Sequence, residues 1–179
     1  MKTLKIFFYI FLCQLILSCS PDQNISEKNI VVTVFLYENC PIAQDMCGPL
    51  RSVYHYFCDT LNKNINFRGF SPNAFSTSQT ISLFQQEYSI PFALNLDYDT
   101  INGVHGAHTL QYFPIKTPEV FVECNDELIY RGMIDNSYLE LGVFLEPTEH
   151  YLFQVLEGLI NGENVAYFET IPIGCLINY

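Results

Sequence analysis

"YENCPIAQDMCGPL", residues 37–50, decides the fold. It follows "IVVTVFL", residues 30–36, whose β-branched and aromatic side chains read as a buried strand. Directly after it, Pro41 suits the first position of a helix, where a missing N–H is no loss. Ile42, Met46, Leu50, Val53, Tyr54, Phe57 and Leu61 then recur at three-and-four spacing, predicting a helix to about Asn62. Pro49 inside that stretch predicts a kink or break about one turn in. Cys40 therefore stands where a strand becomes a helix. A helix N-terminus favours a thiolate through its free N–H groups and its macrodipole. A buried, inert cysteine is the alternative, since free cysteines are commonly buried. The position favours a functional thiol.

Outward from this junction, strands and helices alternate. "INFRGFSP", residues 65–72, is a second strand shortened by its turn residues. "STSQTISLFQQEYS", residues 76–89, is a helix opened by a Ser/Thr cap. "YSIPFALNLD" is an extended link ending at Asp97, and residues 99–113 are a helix weakened by Gly103 and Gly106. "TPEVFVECNDELIYRG", residues 117–132, is a hairpin turning at Asn125-Asp126. A last amphipathic helix spans residues 147–162, with Pro147 at its start and Gly162 just past its end. The remaining tail has no helical pattern. The order β-α-β-α-(α)-β-β-α predicts an α/β domain, residues 30–179, with a central mixed sheet flanked by helices on both faces.

The N-terminus reads differently. Lys2 and Lys5 precede "IFFYIFLCQLIL", an apolar run short for a spanning helix, and the run closes on "ILSC". That ending resembles the lipobox of bacterial lipoproteins. The resemblance implies a signal peptide over residues 1–18, a lipidated Cys19, a polar tether over residues 19–29, and a domain held at a membrane on the exported, periplasmic side. A plain secretory signal with an incidental cysteine is the alternative. The whole chain has 8 bases against 19 acids, a net charge of -11. Loss of Lys2 and Lys5 leaves 6 bases and −13. Such a surface repels phosphates, so a nucleic-acid partner is excluded.

Of 7 cysteines, Cys13 lies in the signal and Cys19 is the anchor candidate. Cys40, Cys47, Cys58, Cys124 and Cys175 remain. Five is odd, which leaves at least one thiol outside any disulfide framework. There is no C-x2-C pair and no H-x3-H spacing for zinc. No Gly-rich phosphate loop is present, so no cofactor is expected.

The strand–Cys40-Pro41–helix unit, "KTPEVFV" at residues 116–122 and "YRG" at residues 130–132 resemble the thioredoxin fold. In that fold a Thr-cis-Pro pair faces the active cysteine, and Thr117-Pro118 matches it. "NCPIA", "TPEVFV", "YRGMID", "PTEHYL", "LING" and "IGCLI" recur in this order in bacterial redoxin-domain proteins, relatives of the alkyl hydroperoxide reductase/thiol-specific antioxidant group. The resemblance runs from about Asn29 to the C-terminus.

Departures narrow what it implies. Dithiol thioredoxins carry C-x-x-C, and here Ala43 holds the second position. Peroxiredoxins carry Pro and Thr where this chain has Thr33 and Tyr37. The copper-delivery branch uses C-x-x-x-C, whereas Cys47 is seven residues on, roughly 10 Å along an ideal helix. That gap is too long for a disulfide within an intact helix. His105 and His108 are possible ligands, with a surface or core role the commoner outcome. Cys58 and Cys124 read as structural. Arg131 is a candidate positive neighbour for the thiolate.

The expected function is thus a membrane-anchored thiol redox protein. Cys40 attacks a protein disulfide or a peroxide, Thr117 and Pro118 form the receiving wall, and Cys175 in the tail is the partner of Cys40. Cys175 acts either as resolving thiol or as co-ligand of a soft metal such as Cu(I). A buried tail cysteine that pins the C-terminus is the bland alternative for Cys175. A non-catalytic binding module or copper carrier on the same fold is the alternative for the whole domain.

Overall fold

β1, Ile30–Phe35, is buried along nearly its whole length because it lies in the middle of the sheet with elements on both faces. The computed structural model describes residues 28–179; the signal segment 1–18, Cys19 and the tether up to residue 27 lie outside the described residues. β1 pairs in parallel with β2, Ile65–Ser71, and antiparallel with β7, Glu119–Cys124. β2 continues in parallel to the edge strand β3, Leu94–Leu96. On the other side β7 pairs antiparallel with β8, Glu127–Gly132, and β8 in parallel with β11, Phe168–Glu169. The mixed six-stranded sheet has the order β11-β8-β7-β1-β2-β3.

Register sorts the side chains. Ile30, Val32 and Val34 align with Ile65, Phe67 and Gly69 on one side and with Cys124, Val122 and Val120 on the other. This face is covered by α1, Pro41–Tyr54, and by α4, Tyr151–Ile160, with Leu50, Val53, Leu152 and Leu156 buried against it. α2, Ser78–Glu87, sends Ile81 and Phe84 into the same core. Thr33 and Phe35 point to the opposite face, where Phe35, Phe70, Phe121 and Tyr112 form a smaller core. Among the described residues the short helix α3, Ala107–Tyr112, supplies Tyr112 to that side. Much of the rest of it is polar: Arg68 donates to Thr33 Oγ1 (2.9 Å) and Tyr112 Oη (2.7 Å), and Tyr112 donates to Glu123 (2.5 Å).

Several local expectations shift. α1 passes through Pro49 and ends at Tyr54, followed by a π-helical turn, His55–Thr60, instead of one helix to Asn62. The acceptor that Pro49 leaves without a donor is the carbonyl of exposed Asp45. The helix read over residues 99–113 is two elements. β4, Tyr98–Asp99, pairs with β5, Val104–His105, and α3 follows. The Asp99 carboxylate accepts the backbone N–H groups of Ile101 and Asn102, an Asx-type turn that outcompetes helix. The last helix begins at Tyr151, not Pro147; the Asn136 side chain holds the N–H groups of Thr148 and Glu149 in a loop before it. At the β7–β8 turn Asn125 and Asp126 both take positive φ, as a two-residue hairpin turn demands.

Four short strands, in two pairs, complete the described fold. β6, Lys116–Thr117, pairs antiparallel with β12, Cys175–Leu176. β9, Tyr138–Glu140, and β10, Val143–Phe144, form a separate hairpin.

Candidate functional site

Cys40 is the residue preceding the first turn of α1, with extended backbone (φ -90°, ψ 113°). Its N–H is held by the Tyr37 carbonyl and its carbonyl accepts from Gln44 N–H. The turn before it is fixed from below. Buried Glu38 accepts the hydroxyls of Ser76 (2.7 Å) and Thr80 (2.6 Å), tying the Cys40 loop to α2. The Cys40 thiol is fully buried and donates to the Thr117 carbonyl at 3.1 Å. The Thr117–Pro118 peptide bond is cis.

The tail reaches the same place. Cys175 stands opposite Thr117 in the β12–β6 pair. Its pKa rises from 9.0 to about 12 through burial first, and then through the neighbouring Cys40 thiol. Gly174 makes the approach possible: a Cβ there would lie 2.1 Å from the Thr117 carbonyl oxygen. The requirement is contact, not an unusual φ. Beyond Cys175 the chain is clasped by Ile177 N–H on the Ile115 carbonyl (3.3 Å), His105 Nε2 on the Asn178 carbonyl (2.8 Å), and the Tyr179 hydroxyl on the Pro114 carbonyl (2.8 Å).

The structure thus brings Cys40, Thr117, Pro118 and Cys175 together from three separate segments. It keeps Cys47 out. Cys47 Sγ donates to the Ala43 carbonyl (3.1 Å) inside the core, and burial pushes its pKa up to about 12. Cys124 is buried and Cys58 half-buried, both as free thiols. Arg131 does not serve the thiolate. Its Nη2 (2.7 Å) and Nε (3.1 Å) donate to Glu119, which is fully buried directly after Pro118. Burial raises the Glu119 pKa, with Arg131 opposing. The other Glu119 oxygen accepts Ile115 N–H at 2.7 Å and so steadies the segment that carries β6. His108 stacks on Phe70, with ring centroids 3.9 Å apart. Among the described residues no group of three or more His, Cys, Asp or Glu side chains is arranged to hold a metal ion, and no helix is long and apolar enough to cross a membrane.

Sequence reasoning missed Glu119 and the Tyr138–Asp45 pair. Glu119 was detectable as a lone carboxylate in the apolar run "VFV", but its partner was not. Tyr138 donates to Asp45 in α1, which places the β9–β10 hairpin beside the site. That bond, with burial and the charges of Asp45 and Cys40, raises the Tyr138 pKa to about 12. No local signal announces this pairing.

No family model and no curated protein matches the chain. Solved structures do. An uncharacterized conserved protein from Geobacillus kaustophilus superposes with a TM-score of 0.69 at 20% identity, over 86% of this chain and 79% of that one. The thioredoxin domain of a thiol-disulfide oxidoreductase from Bacteroides vulgatus superposes with a TM-score of 0.50 at 15% identity, over 78% of this chain and 84% of that one. The chain has the thioredoxin-like fold. In this thioredoxin-like fold the missing C-x-x-C position is the core residue Ala43, and the second sulfur near Cys40 comes from the C-terminal tail.

Proposed function

We propose that the protein is a thiol–disulfide redox protein whose reacting pair is Cys40 and Cys175. The observation that carries the reading is that both cysteines meet at Thr117: its carbonyl accepts the Cys40 thiol, and Cys175 stands opposite it in the β6–β12 pair. Cys40 is fully covered while Cys175 is partly exposed, so the two sulfurs have different tasks. In the oxidised protein a partner's thiolate attacks Cys175 Sγ. The Cys40–Cys175 bond breaks, its electron pair stays on Cys40 at the helix N-terminus, and a mixed disulfide links the partner to Cys175. A second partner thiolate then displaces Cys175 and leaves with a disulfide. The protein gains two electrons and the partner loses them. In reverse, Cys40 attacks the mixed disulfide on Cys175, and the partner leaves as a thiol. Peroxide chemistry draws no support from Arg131, which is committed to Glu119.

Oxidation of the purified chain with a disulfide reagent, followed by peptide mapping, tests this. A Cys40–Cys175 cross-link that Cys175→Ser abolishes is expected. Unchanged redox behaviour in Cys175→Ser overturns it.

The lipoprotein-like "ILSC" ending supports anchoring of this domain through Cys19 on the exported side of a bacterial membrane. Cys19→Ala is expected to release the domain from membranes or block its processing. A mature protein that retains Met1 refutes the anchor.

A further inference from the structure

The β9–β10 hairpin is unusual in what it exposes. Leu139 (61%), Leu141 (69%), Phe144 (57%) and Leu145 (49%) all face solvent. The hairpin is not loose: Tyr138 packs edge-on against Phe144 with centroids 5.6 Å apart, and Leu145 N–H donates to the Ser137 carbonyl at 2.7 Å. Tyr138 also bonds Asp45, one turn into the helix that Cys40 opens. Between hairpin and redox pair lies a shallow apolar notch lined by Ile42, Met46, Pro118, Met133, Tyr138 and Ile173. Tyr138 lines this notch and Phe144 packs on Tyr138, so the hairpin with its exposed apolar side chains stands beside the Cys40–Cys175 site. Several exposed large apolar side chains on one short hairpin beside a reactive centre mark an interaction surface.

The surrounding charge selects the occupant. From Gly132 to Tyr179 the chain contains no Lys and no Arg. Glu140, Glu146 and Glu149 are exposed in and just after the hairpin, and exposed Asp45 sits at its base. A second copy docking face to face sets these carboxylates against themselves, which disfavours a symmetric dimer here. An anionic lipid surface meets the same repulsion. The geometry points to a protein partner that presents an apolar segment flanked by Lys or Arg. Its apolar side chains cover Leu139, Leu141 and Phe144, its bases face Glu140, Glu146 and Glu149, and its thiol or disulfide meets Cys175. The chemistry at Cys175 rests on the thiol–disulfide reading; the docking itself does not.

Two cysteine-free synthetic peptides separate the two claims. They share one apolar centre and carry either Lys/Arg or Glu flanks. Each is titrated into the reduced full-length chain in detergent. The basic peptide is expected to bind at least about tenfold more tightly at low ionic strength, with the gap closing near 1 M salt, where screening acts over about 3 Å. Leu139→Ser with Phe144→Ser is expected to weaken the basic peptide by about tenfold. Leu110→Ser, an exposed site on α3, leaves it unchanged. Phe144→Lys alone, a surface change that leaves the Tyr138–Asp45 bond in place, gives the same direction if the double variant does not fold. Equal affinities for the two peptides, or unaltered binding by both hairpin variants, overturn the proposal. So does a dimer in sedimentation that the hairpin variants dissolve. A Cys40–Cys175 cross-link without peptide selectivity sinks the surface alone; selectivity without the cross-link sinks the redox pair alone.

Discussion

Cys47 and Cys175 compete as partners of Cys40, and they are placed by opposite principles. Cys47 lies seven residues on in the same helix. Cys175 lies 135 residues on, in a two-residue strand. The helix rise carries Cys47 away from the helix start and its 3.6-residue turn points it into the core. The β6–β12 register, by contrast, puts Cys175 opposite Thr117, whose carbonyl already holds Cys40. Burial is the first cause that holds both thiols protonated to about 12; for Cys175 the neighbouring Cys40 adds to it. Nearness along the chain does not bring Cys47 to the Cys40 site; strand pairing brings Cys175 to it.

The strongest way to break that comparison is to oxidise single variants side by side. Cys47→Ser is expected to retain the full yield of the internal cross-link. Cys175→Ser is expected to lose all of it and to drive Cys40 toward sulfinic and sulfonic forms under peroxide, read as mass additions on the Cys40 peptide. A cross-link to Cys47 in the wild-type chain reverses the whole assignment.

Gly174→Val tests the contact that delivers Cys175. Its Cβ would fall 2.1 Å from the Thr117 oxygen and 3.2 Å from Pro118 Cδ, and the first neighbour is backbone that cannot swing aside. Overpacking of this kind costs about 1–3 kcal/mol. Denaturant titration is expected to register it, together with slower formation of the cross-link. A variant that cross-links at the wild-type rate shows that β12 is not what aligns the sulfurs.

These two tests also mark what the sequence made legible. The β1–Cys40–Pro41–α1 unit was readable because a β-branched run, a first-turn proline and a 3.6-residue period agree in one short window. Thr117-Pro118 and the Asn125-Asp126 turn were readable for the same reason: each is a local signal with a local consequence. The long-range partners were not. Arg131 was free to be read as a neighbour of the thiolate until register placed it across β7 and β8 from Phe121, beside Glu119. The Tyr138–Asp45 bond joins residues whose spacing carries no pattern. The Gly103 region was read as a weakened helix because the Asp99 carboxylate's grip on two N–H groups is invisible to periodicity. Cys175 was singled out by its "IGC" context, but only pairing of the tail with β6 gives it an address.

A smaller effect follows from the raised thiol pKa values. An unfolded Cys47 loses its proton near 9, whereas the folded residue holds it to about 12. The folded state therefore binds more protons across that window, and its stability is complete below pH 9 and falls as pH rises toward 12. Cys47→Ala removes one such group from the core, so its stability is expected to decline less steeply between pH 9 and 12 than that of the wild type. Equal slopes in urea titrations across the window remove Cys47 as a contributor.

The smallest change sharpens the contrast between the two glycines that flank the competing thiols. Gly48 follows Cys47 within α1, and a Cβ there would meet nothing within 4 Å. It has no positive φ, but it directly precedes Pro49, and a proline ring crowds the Cβ of a helical residue before it. Alanine in a helix interior gains about 0.5–1 kcal/mol over glycine, and the crowding against Pro49 offsets that gain. Gly48→Ala is therefore expected to change stability little and leave the Cys40–Cys175 cross-link rate untouched. The same substitution at Gly174 is expected to lower stability and slow the cross-link, because its Cβ enters the Thr117 carbonyl. Measured together by denaturant titration and cross-linking rate, the pair separates a glycine left over in a helix from one that lets two segments touch. If Gly48→Ala slows the cross-link as much as Gly174→Ala does, then α1 beyond its first turn takes part in aligning the sulfurs, and the division between the helix that hides Cys47 and the strand that delivers Cys175 fails.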